Sequence, residues 1–292
     1  QLIHGLNAQS VAAEIAAEIA RLHHLWSVFE PAGTIARLAA HAGSDPIAVD
    51  TETIEILRLV TEFGELTDGA FDVTIAPLST LWRTAIDTEE PANPQDIAAK
   101  LSLVGFHDIE ILPPTHARLR RPGQAIDLGG IAKGWVADRA VHLCERHGIR
   151  SALINLGGNV VAVGSRPGGS PWKVGIRDPR GDSTDLVGFL LIENGAVVTA
   201  GDYERYFVRG NRRYHHMIDP RTGMPAQSGL AGVTVRSDRS VVADVLATAA
   251  FILGVDRAFE LIDRVPGTQA LFMGIDGRME MTEGFELCFA PV

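Results

Sequence analysis

Residues 127–134, "DLGGIAKG", hold an acid, two adjacent glycines and a lysine. A glycine turn that opens a helix leaves backbone N–H groups pointing outward, and such groups attract anions, phosphate above all. Lys133 adds a cation in what the pattern makes the first turn of that helix. Asp127 repels phosphate unless a metal ion or a hydrogen-bond donor of the ligand lies between them. The same residues also read as a tight turn with a solvated lysine, because short glycine motifs recur by chance.

Four further groupings have residue types suited to chemistry. In "VVADVLATAAF" Asp244 and Thr248 stand four apart on one helical face, flanked by alanines that leave room around them. A carboxylate and a hydroxyl so placed suit Mg²⁺, which takes few protein oxygens and keeps waters and substrate phosphates. The alternative is a threonine bonded back into its own helix beside an exposed aspartate. "RYHHMIDPRTG" at 213–223 sets His215 and His216 at a strand end, on opposite sides of the alternation. Either one is a general base near neutral pH, or one is a core residue and the other solvated; spacing does not choose. "TDGAFD" at 67–72 places Asp68 and Asp72 around Gly69, an acidic turn that caps a helix and starts a strand in "VTIAPL". "GDYERYF" at 201–207 offers Asp202, Glu204 and Arg205, as a turn or as a charged strand face.

The elements that must position these groups follow from periodicity and punctuation. Val11, Ile15, Ile19, Leu22, Leu25 and Trp26 recur at helical spacing over 10–28, and Pro31 and Gly33 end the run. A second helix is predicted over 51–66, stopping at the Asp-Gly turn, and 87–96 reads as a surface loop. "AIDLGGIAKGWVADRAVHLCERHG" reads as strand, glycine turn and helix. Short β-type runs follow at 151–156, 160–164, 172–176, 188–192 and 196–200, separated by Gly, Pro and Asp turns as in an antiparallel sheet. "RYFVRGNRRYHHMI" adds a hairpin on Gly210-Asn211, and a last helix runs from Val241 to Leu253, ended by Gly254. Strands and helices interleave without regular βαβ repetition, so the expected class is α+β, mainly antiparallel sheets with packed helices.

Composition sets outer limits. With 292 residues, 46% hydrophobic and 21% charged, the chain can bury a real core, as one domain over 1–292 or as two intimately packed subdomains. Lys+Arg total 26 against 36 Asp+Glu, a formal charge of -10, and no basic run tracks a nucleic-acid backbone, so nucleic acid is excluded as the expected partner. The apolar runs, such as "FLLI" at 189–192, fall far short of the roughly 20 residues of a membrane-spanning helix. Cys144 and Cys288 lack metal-like spacing and read as buried thiols, with one disulfide between them as the alternative. Gln1 opens the chain with no basic and apolar leader after it, so any leader has been removed or never existed; the compartment is left open, with the cytoplasm slightly favoured.

Together and in this order, "SVFEPAGTIARL", "TDGAFDVTIAPL", "AIDLGGIAKGWVADRA", "LINLGGNVVAVG", "AGDYERYF", "HHMIDPRTG" and "VVADVLATAAFILG" resemble the FAD:protein FMN transferase family, often called ApbE. The match runs from about Leu25 to Gly254, and its last four blocks are specific to that family. The resemblance implies cleavage of the FAD pyrophosphate with Mg²⁺, Mn²⁺ being the alternative ion. The FMN half then goes through a phosphoester to a threonine of an acceptor protein carrying an Asp-Gly-x-Ser/Thr-x-Ala-Thr target. It leaves two other outcomes open: hydrolysis of FAD to FMN and AMP, and FAD binding without turnover.

Carried over by position, the resemblance implies metal ligation by the Asp244 carboxylate, the Thr248 hydroxyl and the Gly130 carbonyl. It implies FAD contacts from Asp127, Lys133, the Ala70-Phe71-Asp72 turn and the backbone near Ile218, and it makes His216 the base. Lys133 then faces the pyrophosphate, and Asp127 accepts hydrogen bonds from another part of the dinucleotide. Phe29 stands where the family commonly has tyrosine, keeping a stacking face for FAD and losing the hydroxyl, and Ala200 stands where the family has serine. Family members are often exported lipoproteins, against the cytoplasmic expectation from this chain alone.

Overall fold

The structure, a computed structural model, describes all 292 residues. Its elements begin with β1 (Leu2–His4), α1 (Ala8–Trp26), α2 (Thr34–Ala40), β2 (Ile47–Ala48), α3 (Thr51–Leu66), α4 (Ala76–Thr88) and α5 (Pro94–Leu101). Next come β3 (Ile109–Leu112), β4 (His116–Leu119), α6 (Ala132–Arg146), β5 (Ser151–Leu156), β6 (Asn159–Val163), β7 (Trp172–Arg177), β8 (Leu186–Ile192) and β9 (Gly195–Gly201). The rest are β10 (Tyr206–Arg209), β11 (Arg212–His215), β12 (Leu230–Ser237), α7 (Ser240–Leu253), α8 (Val255–Asp263), β13 (Thr268–Gly274), β14 (Met279–Met281) and β15 (Phe289–Pro291). The fold is α+β, and every strand pair in it is antiparallel.

The chain divides into two compact units, the first made of Gln1–Arg21, Gly130–Tyr203 and Ser228–Val292, the second of Leu22–Gly129 and Glu204–Gln227. The first is built on a seven-stranded sheet in the order β1-β5-β6-β9-β12-β13-β14. Val160, Val197 and Leu271 of that sheet pack on Trp172, Val174, Ile176, Leu190 and Ile192 of the three-stranded sheet β15-β8-β7. Alternation along each strand makes such a sheet-on-sheet core. Helices α6, α7 and α8 belong to the same unit, with α7 against β9 and β12 and α8 against β13. Eleven of the fourteen residues of α7 are buried, because its sequence is apolar on nearly every side. That makes the polar residues it does carry, Ser240, Asp244 and Thr248, conspicuous.

In the second unit α3 starts as its sequence dictates: Asp50 caps it, Oδ1 accepting from Thr53 N at 2.8 Å, and Ile54, Leu57 and Val60 form its buried row. A small sheet β2-β4-β3 and the hairpin β10–β11 complete the unit. Its main cluster joins Leu78, Trp82 and Ala85 of α4 to Ile97 of α5, Phe207 of β10 and Ile218. The Trp82 indole N–H donates to the Gly223 carbonyl at 2.8 Å, so α4 holds the Asp-Pro-Arg-Thr-Gly turn in place.

Several expected elements are different in the structure. "VTIAPL" is no strand: Asp72 caps a 3-10 turn at Val73–Ile75, and α4 follows with Pro77 in its first turn, where the missing N–H costs nothing. Half of the expected loop over 87–96 is helical, because Asn93 caps α5 and Pro94 opens it. Residues 125–127 form no strand ahead of the glycine turn, although the Asp127 N–H is bonded to the Val73 carbonyl at 2.7 Å. The helix ended by Gly254 is not the last, since α8 begins at the next residue. Cys144 and Cys288 are free thiols, and burial raises the pKa of both. No helix is long and apolar enough to cross a membrane.

Replacing Trp82 by Phe keeps the ring packed among Leu78, Ala85 and Tyr214 but removes the donor to Gly223. The expected loss is about 1–3 kcal/mol, that of orphaning a buried carbonyl. Urea denaturation measures it, and an unchanged midpoint would show that the indole N–H does not hold the turn.

Candidate active site

In the first unit the "IAKG" segment becomes the first turn of α6, and the residue before the helix, Ile131, caps nothing. The open Gly134 N–H is met instead by a side chain from another helix: Asp244 Oδ2 accepts it at 2.9 Å. This geometry depends on glycine. A Cβ at residue 134 would lie 2.6 Å from both the Ser240 carbonyl oxygen and the Val241 Cα, closer than real atoms approach. Asp244 thus reaches a helix N-terminus, where partial positive charge favours a carboxylate.

The other carboxylate oxygen, Oδ1, lies 3.6 Å from Lys133 Nζ. The Asp244 side chain is only 5% exposed and that of Lys133 43%, so the aspartate is fixed inside while the lysine reaches toward solvent. This settles one of the alternatives left by sequence: Asp244 is not an exposed surface acid, whereas Lys133 pairs with it and stays partly solvated. Thr248 sits one turn further along α7 and is half-buried. Thr61, Thr84 and Thr88 each donate to the carbonyl four residues back; Thr248 makes no such bond, and its hydroxyl stays available. One carboxylate oxygen, a hydroxyl and the carbonyl of Gly130 are hard donors of the type Mg²⁺ takes. No group of three or more His, Cys, Asp or Glu side chains that could hold a metal ion is present.

In the second unit the assigned residues divide into those committed to the fold and those open to a ligand. Asp72 Oδ1 accepts from Thr74 N at 2.8 Å and Thr74 Oγ1 at 2.6 Å, and Oδ2 accepts from Phe106 N at 2.9 Å. Burial raises its pKa, and those three hydrogen bonds pull the other way. Ala70 and Phe71 are buried too, and Phe71 meets Phe63 edge-on. This turn therefore offers a ligand its backbone, not the Asp72 carboxylate. Asp127 is half-buried, and its Oδ1 accepts from Gly129 N at 2.8 Å, which shapes the glycine turn.

The two histidines are now distinct. His215 is buried, its Nε2 donates to the Ala226 carbonyl at 3.0 Å, and its Nδ1 accepts from Met217 N at 3.3 Å, which fixes a neutral tautomer. His216 is exposed, with its backbone N–H on the Arg205 carbonyl. Ile218 is buried and bridges to Pro225. Next to it Asp219 binds the Arg221 guanidinium through both oxygens at 2.8 Å, locking the turn that Trp82 holds. Phe29 is 70% exposed, with the Arg83 guanidinium 4.9 Å from its ring centre. Arg83 is absent from the sequence reading, because nothing in a chain separation of that length signals a cation over a ring.

Comparison with known proteins places this geometry. The model of the ApbE family matches residues 2–272. The FAD:protein FMN transferase of Treponema pallidum (strain Nichols) is 36% identical over 264 residues, 86% of this chain and 73% of the relative. That of Klebsiella pneumoniae (strain 342) is 32% identical over 286 residues, covering 97% and 88%. Among solved structures, the ApbE protein from Thermotoga maritima superposes with a TM-score of 0.88 at 32% identity, over 97% of this chain and 92% of that one. Apo Pseudomonas stutzeri flavinyl transferase ApbE gives 0.83 at 28%, over 97% and 90%.

Gly134→Ala tests the close approach of α6 to α7. Helix propensity alone favours alanine by up to about 1 kcal/mol. The methyl meets backbone atoms that cannot rotate away, and overpacking of that kind costs about 1–3 kcal/mol. The expected net effect is a lower denaturation midpoint; a midpoint at or above that of the wild type would mean that α6 does not need glycine there.

Proposed function

The chain belongs to the ApbE family, and from that premise we propose that it is an Mg²⁺-dependent FAD:protein FMN transferase, joining FMN by a phosphoester to a threonine of an acceptor protein. The observation that carries the reading is the Lys133–Asp244 pair at the N-terminus of α6. Buried carboxylates are usually satisfied within the fold, as Asp72 and Asp219 are. Asp244 instead has one oxygen 3.6 Å from a partly exposed ammonium, an arrangement suited to holding a cation beside an anion-binding lysine.

Asp244, Thr248 and the Gly130 carbonyl would hold Mg²⁺, which neutralises charge on a pyrophosphate when bound. Lys133 places its ammonium on the pyrophosphate, and the N–H groups of the glycine turn and of α6 add partial positive charge. Phe29 offers the flavin nucleotide a stacking face, with Arg83 behind it. Asp127 accepts through the oxygen that Gly129 leaves open, and the backbone at Ala70–Asp72 and near Ile218 supplies the remaining contacts. His216 takes the proton of the acceptor threonine as its Oγ attacks the FMN-side phosphorus. The bond from that phosphorus to the bridging oxygen breaks, and AMP leaves with the electron pair. His215 cannot share the role, because both of its ring nitrogens are committed.

The test is to mix the protein with FAD and Mg²⁺, with and without an acceptor bearing the Asp-Gly-x-Ser/Thr-x-Ala-Thr target, and to follow AMP and the acceptor mass. AMP release only with acceptor, together with an FMN-labelled acceptor, is expected. Release without acceptor would make the protein a hydrolase, and no release a carrier. Asp244→Ala is expected to abolish AMP release and weaken Mg²⁺ binding, Thr248→Ala to do less because water replaces a neutral oxygen. An unchanged Mg²⁺ titration in the aspartate variant would refute the assignment.

His216→Asn is expected to leave FAD binding and folding nearly intact and to slow turnover by about 10²–10⁴, the usual contribution of a general base. His215→Asn, by contrast, is expected to lower stability through the Ala226 and Met217 contacts. A kinetic loss confined to His215→Asn would transfer the role to that residue.

A further inference from the structure

We propose that Asp138 is a positioning residue, which holds Asp244 and Thr248 in register with Lys133 by capping the helix that carries them. The inference rests on the reading of Asp244 as the cation-binding carboxylate. Its ground is a second capping contact running opposite to the first. Arg239, the residue before α7, caps nothing with its side chain, so the first N–H groups of α7 need another acceptor. Asp138, from the middle of α6, provides it: Oδ1 accepts from Ser240 N at 2.6 Å and Oδ2 from Val241 N at 3.2 Å.

Each helix is therefore capped by an aspartate of the other. Gly134 and Asp138 are four residues apart on α6, and Ser240 and Asp244 are four apart on α7, so each pair lies on one helical face. Gly134 meets Asp244, and Asp138 meets Ser240, giving two rungs of one ladder with the bare Gly134 backbone against Ser240 and Val241 between them. An ordinary cap fixes a helix end. These two fix the position of α7 along and around its axis relative to α6, because a rotation that kept one rung would break the other. Asp244 lies one turn past the capped residues and Thr248 two turns past, so both inherit that position. The Asp138 side chain is 27% exposed, and the Arg239 Nε stands 3.8 Å from its Oδ2, which supplies charge balance outside the site.

The test compares Asp138→Ala, Asp138→Asn and Leu261→Ala with wild type, the last removing a buried side chain of α8 outside the ladder. The first readout is amide hydrogen exchange of the metal-free proteins. The proposal expects Asp138→Ala to speed exchange roughly tenfold at Gly134, four residues before the substitution and bonded to Asp244, as well as at Ser240 and Val241. Asp138→Asn, whose amide oxygen keeps one N–H bond, should restore much of the protection, and Leu261→Ala should leave Gly134 alone at matched stability. The second readout is the dissociation constant for Mg²⁺ by calorimetry, expected to rise about 10- to 100-fold in Asp138→Ala, the range for residues that orient a metal ligand, and less in Asp138→Asn. Faster exchange confined to Ser240 and Val241, or an equal effect from Leu261→Ala, would overturn the proposal. If the wild type binds no Mg²⁺, the metal reading of Asp244 fails, and exchange at Gly134 alone decides whether the ladder positions it.

Discussion

A missing side chain at residue 134 is the constraint on which the rest of the first unit depends. With no Cβ there, the α6 backbone can lie against the Ser240 carbonyl and the Val241 Cα at a spacing that excludes even a methyl group. That spacing brings a carboxylate of one helix onto the N–H of the other, and it is why α7 has Ala243, Ala247 and Ala250 where larger residues would hold neighbouring elements off. A deeply buried acid would ordinarily cost several kcal/mol in lost hydration. Here a backbone N–H, the N-terminal charge of α6 and the Lys133 ammonium offset that cost together, and the carboxylate is kept where a helix can hold it still.

The carboxylates of this chain show how a fold separates structural acids from reactive ones. Asp72 spends both oxygens on Thr74 and Phe106, Asp219 both on Arg221, and Asp202 both on Arg180 at 2.7 and 3.0 Å. Each shapes a turn or anchors a loop. Asp244 differs in having one oxygen fixed by backbone and the other 3.6 Å from the partly exposed Lys133 ammonium. The histidines divide likewise: His215 is consumed by Ala226 and Met217, and His216 is exposed.

Much of this was legible in the sequence where local signals and tertiary demand agree. Asp50 before "TETIEILRLV" caps a helix with an apolar row, and α3 spans the predicted 51–66. "SALINL" alternates and is β5 residue for residue. "VTIAPL" misled because Val, Thr and Ile favour strands, whereas the Asp72 cap and Pro77 decide for helix and the buried face of Leu78, Trp82 and Ala85 lies further on. β12 was missed since Gly232 interrupts its pattern, although it lies between β9 and β13 in the large sheet. The helical spacing of Asp244 and Thr248 was readable, and so was Lys133 in a first turn. Their pairing was not: Gly134 and Asp244 are 110 residues apart, and no local rule says which buried acid meets which open N–H. The glycine in "AKG" could be read as a residue but not as a contact surface.

The overall charge gives the local arrangement its purpose. A chain with a formal charge of -10 repels a pyrophosphate at long range, and its surface supplies no basic field to draw one in. At physiological salt that repulsion is screened beyond about 8 Å, so binding must be decided by groups in contact with the ligand. Around α6 the local balance differs from the overall one: helix N-terminal N–H groups, the Lys133 ammonium and the Asp244 carboxylate lie within a few ångströms of one another. Lysine and carboxylate neutralise each other at 3.6 Å, and the buried acid is tolerated.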